Sequence, residues 1–589
     1  MSARELITEH LDLWTGAVTQ KSTRGRGRSG KVELTGIKKL RELILDLALR
    51  GKLTEQLTSD GSTQALLQHL EDKKQKLETK GTIKTNSNIP SIDEHPFAIP
   101  PNWAWVRLGH IGLVGSSRRV RQRDWQNHGI PFYRAREIVK LSQNGDVDNE
   151  LFISRNLYDE LAKNGQVPET NDLMVTGVGT IGVPYIVKPS DQFYFKDASV
   201  LIFKNLFGIC PQFLYNFCHS PFWTRTIHAD SMGTTVHTLT IVRANLAPVP
   251  LPPLDEQYRI VQKVDELMAL CDRLEQQTSD QLEAHETLVD TLLDTLTQSK
   301  NATELAENWA RLAAHFDTLF TTEQSIEKLK QTILQLAVMG LLVEQKAGDG
   351  SASALLENLK LQKEQLVQKR QVKISNSLQI LTDDTHILNL PTSWCSTTVG
   401  TIFQLQNGYA FKSGWFKSSG IKLVRNVNVS HGFIDWKEAV SLPEDLAQEF
   451  ERFMLAEGDV VISLDRPLIN TGLKYAVIRE KDTPCLLLQR VARFQAFGNT
   501  VDPRYLERWL NSNMFTDAIN PGRSNGVPHI STKQIEAIPF PLPPAKEQTR
   551  IVQKVDELMA LCDRLKERLN QTSKTRCQLA EAVVTGALN

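Results

Sequence analysis

The chain has 589 residues, 41% hydrophobic and 23% charged, which suits a globular protein of three to five structural units and excludes a disordered one. Lys plus Arg number 68, as do Asp plus Glu, so no global basic field announces nucleic acid and any such contact must come from local clusters. No apolar run approaches the roughly 18–20 residues of a membrane span, and the polar start MSARELITEH does not read as a signal peptide. The seven cysteines include no CxxC pair, which favours neither a zinc ribbon nor a disulfide framework and fits a reducing cytoplasm.

In chain order, five segments are expected. Residues 1–98 form an N-terminal helical segment with a basic tether at Thr19–Lys31 (TQKSTRGRGRSGK, with Arg24, Arg26 and Arg28) and a helix from Ile37 (IKKLRELILDLALRGKLTEQ). Residues 99–253 form a first module, with β-branched or apolar runs at Leu173–Val175, Val183–Val187 and Ser199–Phe203 broken by Gly, Pro, Asn and Asp, the pattern of a mixed α/β globule. Residues 254–389 are a central helical region. There Ile260, Val264, Leu267, Cys271 and Leu274 recur at spacings of four and three, a heptad seam that Leu288 and Leu292 resume. A helix from Asp255 to about Gln298 would span on the order of 65 Å; an ordinary core-packing helix is the other reading of the same pattern. Residues 390–544 form a second module, with runs at Asp459–Ser463 and Leu473–Ile478, and 545–589 a C-terminal helical region carrying the seam residues Ile551, Val555, Leu558 and Leu565. Thr82–Asn88 and Val372–Ser377 read as polar linkers.

These segments repeat. Ile260–Leu274 (IVQKVDELMALCDRL) recurs letter for letter 291 positions later at Ile551–Leu565, each time after PLPP and a Glu-Gln pair (Glu256-Gln257, Glu547-Gln548). The same offset aligns Pro100, Trp103, Gly109 and Ile111 with Pro391, Trp394, Gly400 and Ile402, and Arg134 with Arg425. A whole module is therefore duplicated. The helix at Ile37–Gln56 is echoed at Ile326–Gln345. The centre holds a complete helical spacer and each terminus one part of it, so meeting ends would rebuild a second spacer about an approximate twofold axis.

Candidate DNA-contacting residues cluster early in each module. The first offers Arg118, Arg119, Arg121, Arg123, Arg134, Arg136 and Lys140 with Trp125 among them; the second offers Asn407, Tyr409, Lys412, Lys417, Arg425, Asn426 and Asn428 with no acid between Gln404 and Asn428. Arginine contacts phosphate and reads guanine bidentately, and asparagine reads adenine; a solvated face is the plainer account of such a charge run. His237 and His529, late in the modules in GTTVH and NGVPH, are candidate phosphate donors, or plain turns. No GxxxxGK[ST], [DNS]PP[FYW] or HExxH occurs, so neither ATP hydrolysis, amino-methyl transfer nor zinc proteolysis is written in the chain. A binding role, without catalysis, is expected.

The motifs IPPNWAWVRLG (Ile99–Gly109), NGYAFKSGWFKSSGIKLVRNVNV (Asn407–Val429), VPLPPLDEQYRIVQKVDEL (Val249–Leu267) and FPLPPAKEQTRIVQKVDEL (Phe540–Leu558) resemble the specificity subunits of type I restriction–modification systems over nearly the whole chain. The long N-terminal portion resembles the type IB branch. The resemblance implies two α/β target recognition domains, separated by long antiparallel coiled-coil spacers, each reading one half of an asymmetric bipartite DNA site. It also implies docking of two modification subunits, which carry S-adenosylmethionine and methylate adenine, and of two restriction subunits that use ATP and magnesium; no cofactor belongs to this chain. The seam residues would then pack helix on helix or contact those subunits. Two rivals predict otherwise: an enzyme with an unrecognised site would modify or cut DNA alone, and a structural coiled-coil protein would show no sequence preference.

Overall fold

The computed structural model describes residues 9–20, 32–80, 89–164, 166–229, 238–299, 302–368, 390–469, 471–498, 500–519 and 529–588. Two compact units emerge, one drawn from Met1–Thr23, Ser29–Asp280 and Thr572–Asn589, the other chiefly from Gln281–Gln571. Both are mixed α/β. The tether from Lys21 to Lys31 and the linkers Thr82–Asn88 and Val372–Ser377 lie outside the described residues.

Two helices of 44 residues, Leu254–Thr297 and Ala545–Leu588, each give their first part to one unit and their last part to the other; at 1.5 Å per residue each is about 66 Å long. Ile260, Val264, Leu267, Cys271 and Leu274 are buried in the first unit's core, as are Ile551, Val555 and Cys562 in the second's, with Leu558 and Leu565 half-buried beside them. The seam is thus filled by this chain's own packing. Its expected continuation is wrong at one place: Leu288 is 50% exposed, and burial resumes at Val289, Leu293 and Leu296. A straight α-helix drifts about 20° per heptad against a strict seven-residue repeat; after four heptads the buried face has moved on by nearly one residue.

Each module is closed by an antiparallel ribbon of its first and last strands. Ala104–Arg107 pairs with Pro248–Leu251, and Cys395–Thr398 pairs in the same register with Pro539–Leu542. Alternate prolines (Pro248 and Pro250, Pro539 and Pro541) place the missing N–H groups on one edge, leaving Val249 and Leu251 to pair and denying a further strand its donors.

Directly after the ribbon, the Glu-Gln pair latches the module to its helices. Glu256 and Gln257 are wholly buried. Trp103 Nε1 donates to Glu256 Oε2 at 2.9 Å and Gln56 Nε2 to its Oε1 at 2.6 Å. Gln257 accepts from Cys210 N–H at 3.0 Å and donates to Pro252 O at 2.9 Å. The second copy repeats this chemistry: Trp394 Nε1 and Gln345 Nε2 donate to Glu547 Oε1 at 3.0 and 2.7 Å, while Gln548 accepts from Asp502 N–H at 2.8 Å and donates to Pro543 O at 3.0 Å. The motif recurs because a buried carboxylate is tolerable only when its donors come with it. Gly51 (φ +63°) and Gly340 (φ +74°) turn the chain beside the latch, where a Cβ would stand 2.3 Å from Pro100 Cγ and 2.5 Å from Pro391 Cγ.

The chain's two ends meet within the first unit. Arg50 Nη1 donates to Leu588 O at 3.0 Å, Lys52 Nζ to Ala587 O at 3.2 Å, and Lys39 pairs with Glu581 at 3.2 Å. Helix Thr35–Leu49 thereby sits against the last turns of Ala545–Leu588 and, through Arg41–Asp272 (2.6 Å), against the first long helix. Helix Glu323–Val338 makes the corresponding pair, Lys330–Asp563 at 2.6 Å, in the second unit. The meeting of the two ends expected from the repeats is thus realised within the first unit.

Candidate nucleic-acid interface

In the first module an antiparallel sheet runs in the order Leu113–Gly115, Val200–Lys204, Leu173–Thr176, Pro184–Ile186, beside a three-stranded sheet of Phe152–Ile153, Ile130–Tyr133 and Tyr194–Phe195. In the second, a five-stranded sheet contains Phe403–Asn407, Val491–Ala496 and Val460–Ser463, and a four-stranded one contains Ile421–Val424 and Cys485–Leu487. Alternation of strand direction brings several loops to one rim of each module. In the first, the segment Lys196–Ser199 is the hub: Lys196 N–H donates to Tyr133 O at 2.8 Å, Ala198 N–H to Ser116 Oγ at 3.3 Å, and Gly177 N–H to Ser199 O at 2.8 Å. In the second the hub is Leu488–Arg490, where Leu488 N–H donates to Val424 O at 3.2 Å, Gln489 N–H to Tyr409 O at 2.9 Å and Leu464 N–H to Arg490 O at 2.8 Å.

The sequence-derived candidates divide on this frame. Arg118 stands at the rim, its N–H donating to the Tyr194 hydroxyl at 2.9 Å. Arg119, Arg121 and Arg123 are exposed on the loop leading away from it, towards the start of strand Ile130–Tyr133. Among the described residues no acid pairs with Arg118, Arg119 or Arg121, and Arg123 has only Asp124 at 3.7 Å. Trp125 is half-buried, with its ring 6.1 Å from Phe132. Lys140 is exposed on helix Ala135–Asn144. His237 lies outside the described residues. In the second module Asn426 Nδ2 and His529 Nδ1 both reach Asp465, each at 3.2 Å, at the rim; Tyr409 O accepts from the hub's Gln489 N–H, and Asn407 Nδ2 donates to Thr532 Oγ1 at 3.5 Å. Lys412 lies over the Trp415 ring at 5.5 Å and Lys417 bridges Ser441 at the far end of strand Ile421–Val424.

The matched pair Arg134 and Arg425 has an internal task in both modules. Arg134 donates through Nη2 to Glu137 Oε1 at 2.8 Å and through Nε to Oε2 at 3.1 Å, and Glu137 Oε2 in turn accepts the Arg134 N–H at 2.9 Å. Arg136 donates to the same buried carboxylate at 2.5 Å. Burial alone would raise the Glu137 carboxyl; the hydrogen bonds from Arg134 and Arg136 outweigh it and hold it below the usual carboxylate range. At the equivalent turn Arg425 N–H and Nε both donate to Asn428 Oδ1 at 3.3 Å, Arg425 Nη2 donates to Glu438 O, and Asn428 is buried. One turn device, an arginine capped by an acceptor three residues on, explains why this arginine recurs.

Sequence reading missed Asp465, Arg466, Gln489 and Arg490. They sit as adjacent pairs in two loops with no charge cluster to mark them, and only the fold gathers them. Arg466, Gln489 and Arg490 are exposed at the rim and Asp465 is buried beneath them.

The profile of the "Type I restriction modification DNA specificity domain" matches residues 100–284 and 391–573. The chain is 42% identical to the type I restriction enzyme EcoAI specificity subunit of Escherichia coli and 31% identical to the EcoEI specificity subunit of the same organism, in both cases over the whole of each chain. A crystal structure of the HsdS subunit from Thermoanaerobacter tengcongensis aligns with 84% of this chain and 99% of its own at 18% identity and a TM-score of 0.42. The chain belongs to the type I restriction–modification DNA specificity family, and it carries the family's DNA specificity domain twice.

Proposed function

We propose that this chain is the non-catalytic DNA-reading subunit of a type I restriction–modification complex, each module reading one half of a bipartite, asymmetric site. The observation that carries the reading is the repeat itself: one scaffold, closed by ribbons in the same register and by matching latches, presents two rims with different side chains. Two unlike rims suit two unlike half-sites. The 44-residue helices act as the ruler for the unread bases between them; half-sites about one DNA turn apart lie roughly 34 Å centre to centre. Arg118, Arg119, Arg121, Arg123 and Lys140 contribute phosphate contacts, which position without specifying. The partners are double-stranded DNA, two modification subunits and two restriction subunits, with S-adenosylmethionine, ATP and magnesium on those partners. Methylation falls on one adenine per half-site, and base flipping is easier on a duplex gripped at both sides. The proposed site of action is the cytoplasm; no described helix is long and apolar enough to cross a membrane.

The test is mapping of methylated adenines in a host with and without this chain alongside its partner subunits. A two-part motif that depends on the chain, and that changes in one part only when residues 99–253 are exchanged for a relative's, is the expected result. Methylation or cleavage by the purified chain alone would favour an enzyme, and an unchanged motif after exchange a merely structural protein.

A further inference from the structure

Resting on the DNA-reading role above, we propose that Arg490 reads a guanine in the half-site facing the second module, held in place by Asp465. The two rims share one backbone frame. In the second module Ile530 N–H donates to Leu464 O at 2.9 Å and Leu464 N–H to Arg490 O at 2.8 Å; in the first, Leu239 N–H donates to Gly177 O at 2.9 Å and Gly177 N–H to Ser199 O at 2.8 Å. One residue on, Asp465 bridges His529 where Val178 bridges Thr238. On this common frame Asp465, Arg490 and His529 stand where the first module has Val178, Ser199 and Thr238. The scaffold is retained and the side chains that meet a ligand differ.

Asp465 organises the site from below. Its side chain is 11% exposed; Oδ2 accepts from Arg490 Nη1 and from Asn426 Nδ2, each at 3.2 Å, and Oδ1 lies 3.2 Å from His529 Nδ1. The Arg490 side chain is 62% exposed, and Asp465 is its sole side-chain partner among the described residues. A planar guanidinium held through Nη1 leaves Nη2 and Nε as a pair of donors for a base edge, the geometry that matches guanine O6 and N7 in the major groove. The carboxylate beside it offsets the positive field that would attract a phosphate, so the pair is better suited to a base edge than to the backbone. The main chain points the same way: Arg490 has φ +69° and neighbouring Arg466 φ +47°, a region where residues other than glycine are uncommon and which persists where function maintains it. In the first module the positive φ falls at Ala198 (+54°), one residue before Ser199, the counterpart of Arg490.

The test uses the complete system in a host whose methylated adenines are mapped, with the wild-type chain and with Arg490→Gly, Arg490→Lys and Asp465→Asn. Glycine accepts φ +69° without strain, so it removes the fork alone. The wild type is expected to modify a two-part motif with an invariant G·C pair in one part. Arg490→Gly is expected to make that pair degenerate, with modification at the original site falling on the order of 10- to 100-fold while the other part stays intact. Lysine keeps the charge without the fork and degrades the same position, as does Asp465→Asn to a smaller extent. If the glycine variant does not assemble, the lysine variant decides. An unchanged motif, full rescue by lysine, or a uniform fall on every sequence with the motif intact would overturn the assignment. A wild-type chain that directs no two-part methylation overturns the DNA-reading role as well, whereas a wild-type motif indifferent to Arg490 removes this assignment alone.

Discussion

Glu547→Ala removes the acceptor at the centre of one latch. It leaves Trp394 Nε1 and Gln345 Nε2, now 3.0 and 2.7 Å from a shared oxygen, as donors in a site where Glu547 is 1% exposed. Hydrogen bonds to a charged group contribute about 1.5–3 kcal/mol each, and orphaned donors add their own desolvation cost. Because the two bonds share one oxygen they do not add fully, and a loss of about 3–5 kcal/mol is expected, on the order of 10 °C in the melting of that unit. Glu547→Gln keeps the oxygen and removes the charge, so it should cost about 1 kcal/mol or less. Burial pushes the Glu547 carboxyl above its ordinary range. The folded state therefore binds that proton more tightly than the unfolded one, and the residue's contribution is most favourable in acid and weakens as pH rises through the folded value. The advantage of wild type over Glu547→Gln is accordingly expected to shrink as pH rises above about 4.3, the ordinary value of a glutamate carboxyl. Calorimetric unfolding of the full-length chain measures both effects, with the unit lacking the change as internal reference. Equal losses for the alanine and glutamine variants would refute the argument, since charge or volume would then matter more than the acceptor.

Glu137→Gln should lose about 1–2 kcal/mol at pH 7 by weakening the charge-assisted bonds from Arg134 and Arg136. The Glu137 carboxyl is held low in the fold, so the wild-type advantage is complete above about pH 4.3 and falls as pH drops below it through the folded value; an advantage that grows as pH falls below about 4.3 in denaturant titrations would contradict this. Gly340→Ala meets Pro391 Cγ at 2.5 Å at φ +74°, whereas Gly350→Ala at φ +84° meets nothing within 4 Å. The first should cost more than 2 kcal/mol and the second about 1–2 kcal/mol, the left-handed penalty alone; equal midpoint shifts would show that the close approach is immaterial.

Much of this architecture is legible without coordinates because it is duplicated. An identical fifteen-residue stretch at Ile260 and Ile551 identifies matched helices, and periodicity places the first long helix within a residue of its observed limits, Leu254–Thr297. The reading fails where a one-dimensional pattern stands in for geometry. Leu288 continues the heptad in the sequence and faces solvent in the fold, because a straight helix does not keep a seven-residue period. Residue type also could not show that Arg134, Arg425 and Asn428, candidates for DNA contact, are each engaged within their own turn. Charge type says what a side chain can bind, and not whether a neighbour has already bound it.

Local order and repetition, which depend on residues near in sequence, are therefore determined by the sequence as written: the helices, the proline ribbons, the Trp and Glu-Gln positions that recur 291 residues apart. What tertiary structure alone decides is convergence. Asp465, Arg490 and His529 come from three loops spread over more than sixty residues, and the end of helix Thr35–Leu49 meets the end of the chain's last helix through Arg50 and Leu588. Such meetings depend on the sum of strand directions, turns and packed faces, which no single stretch of the chain encodes.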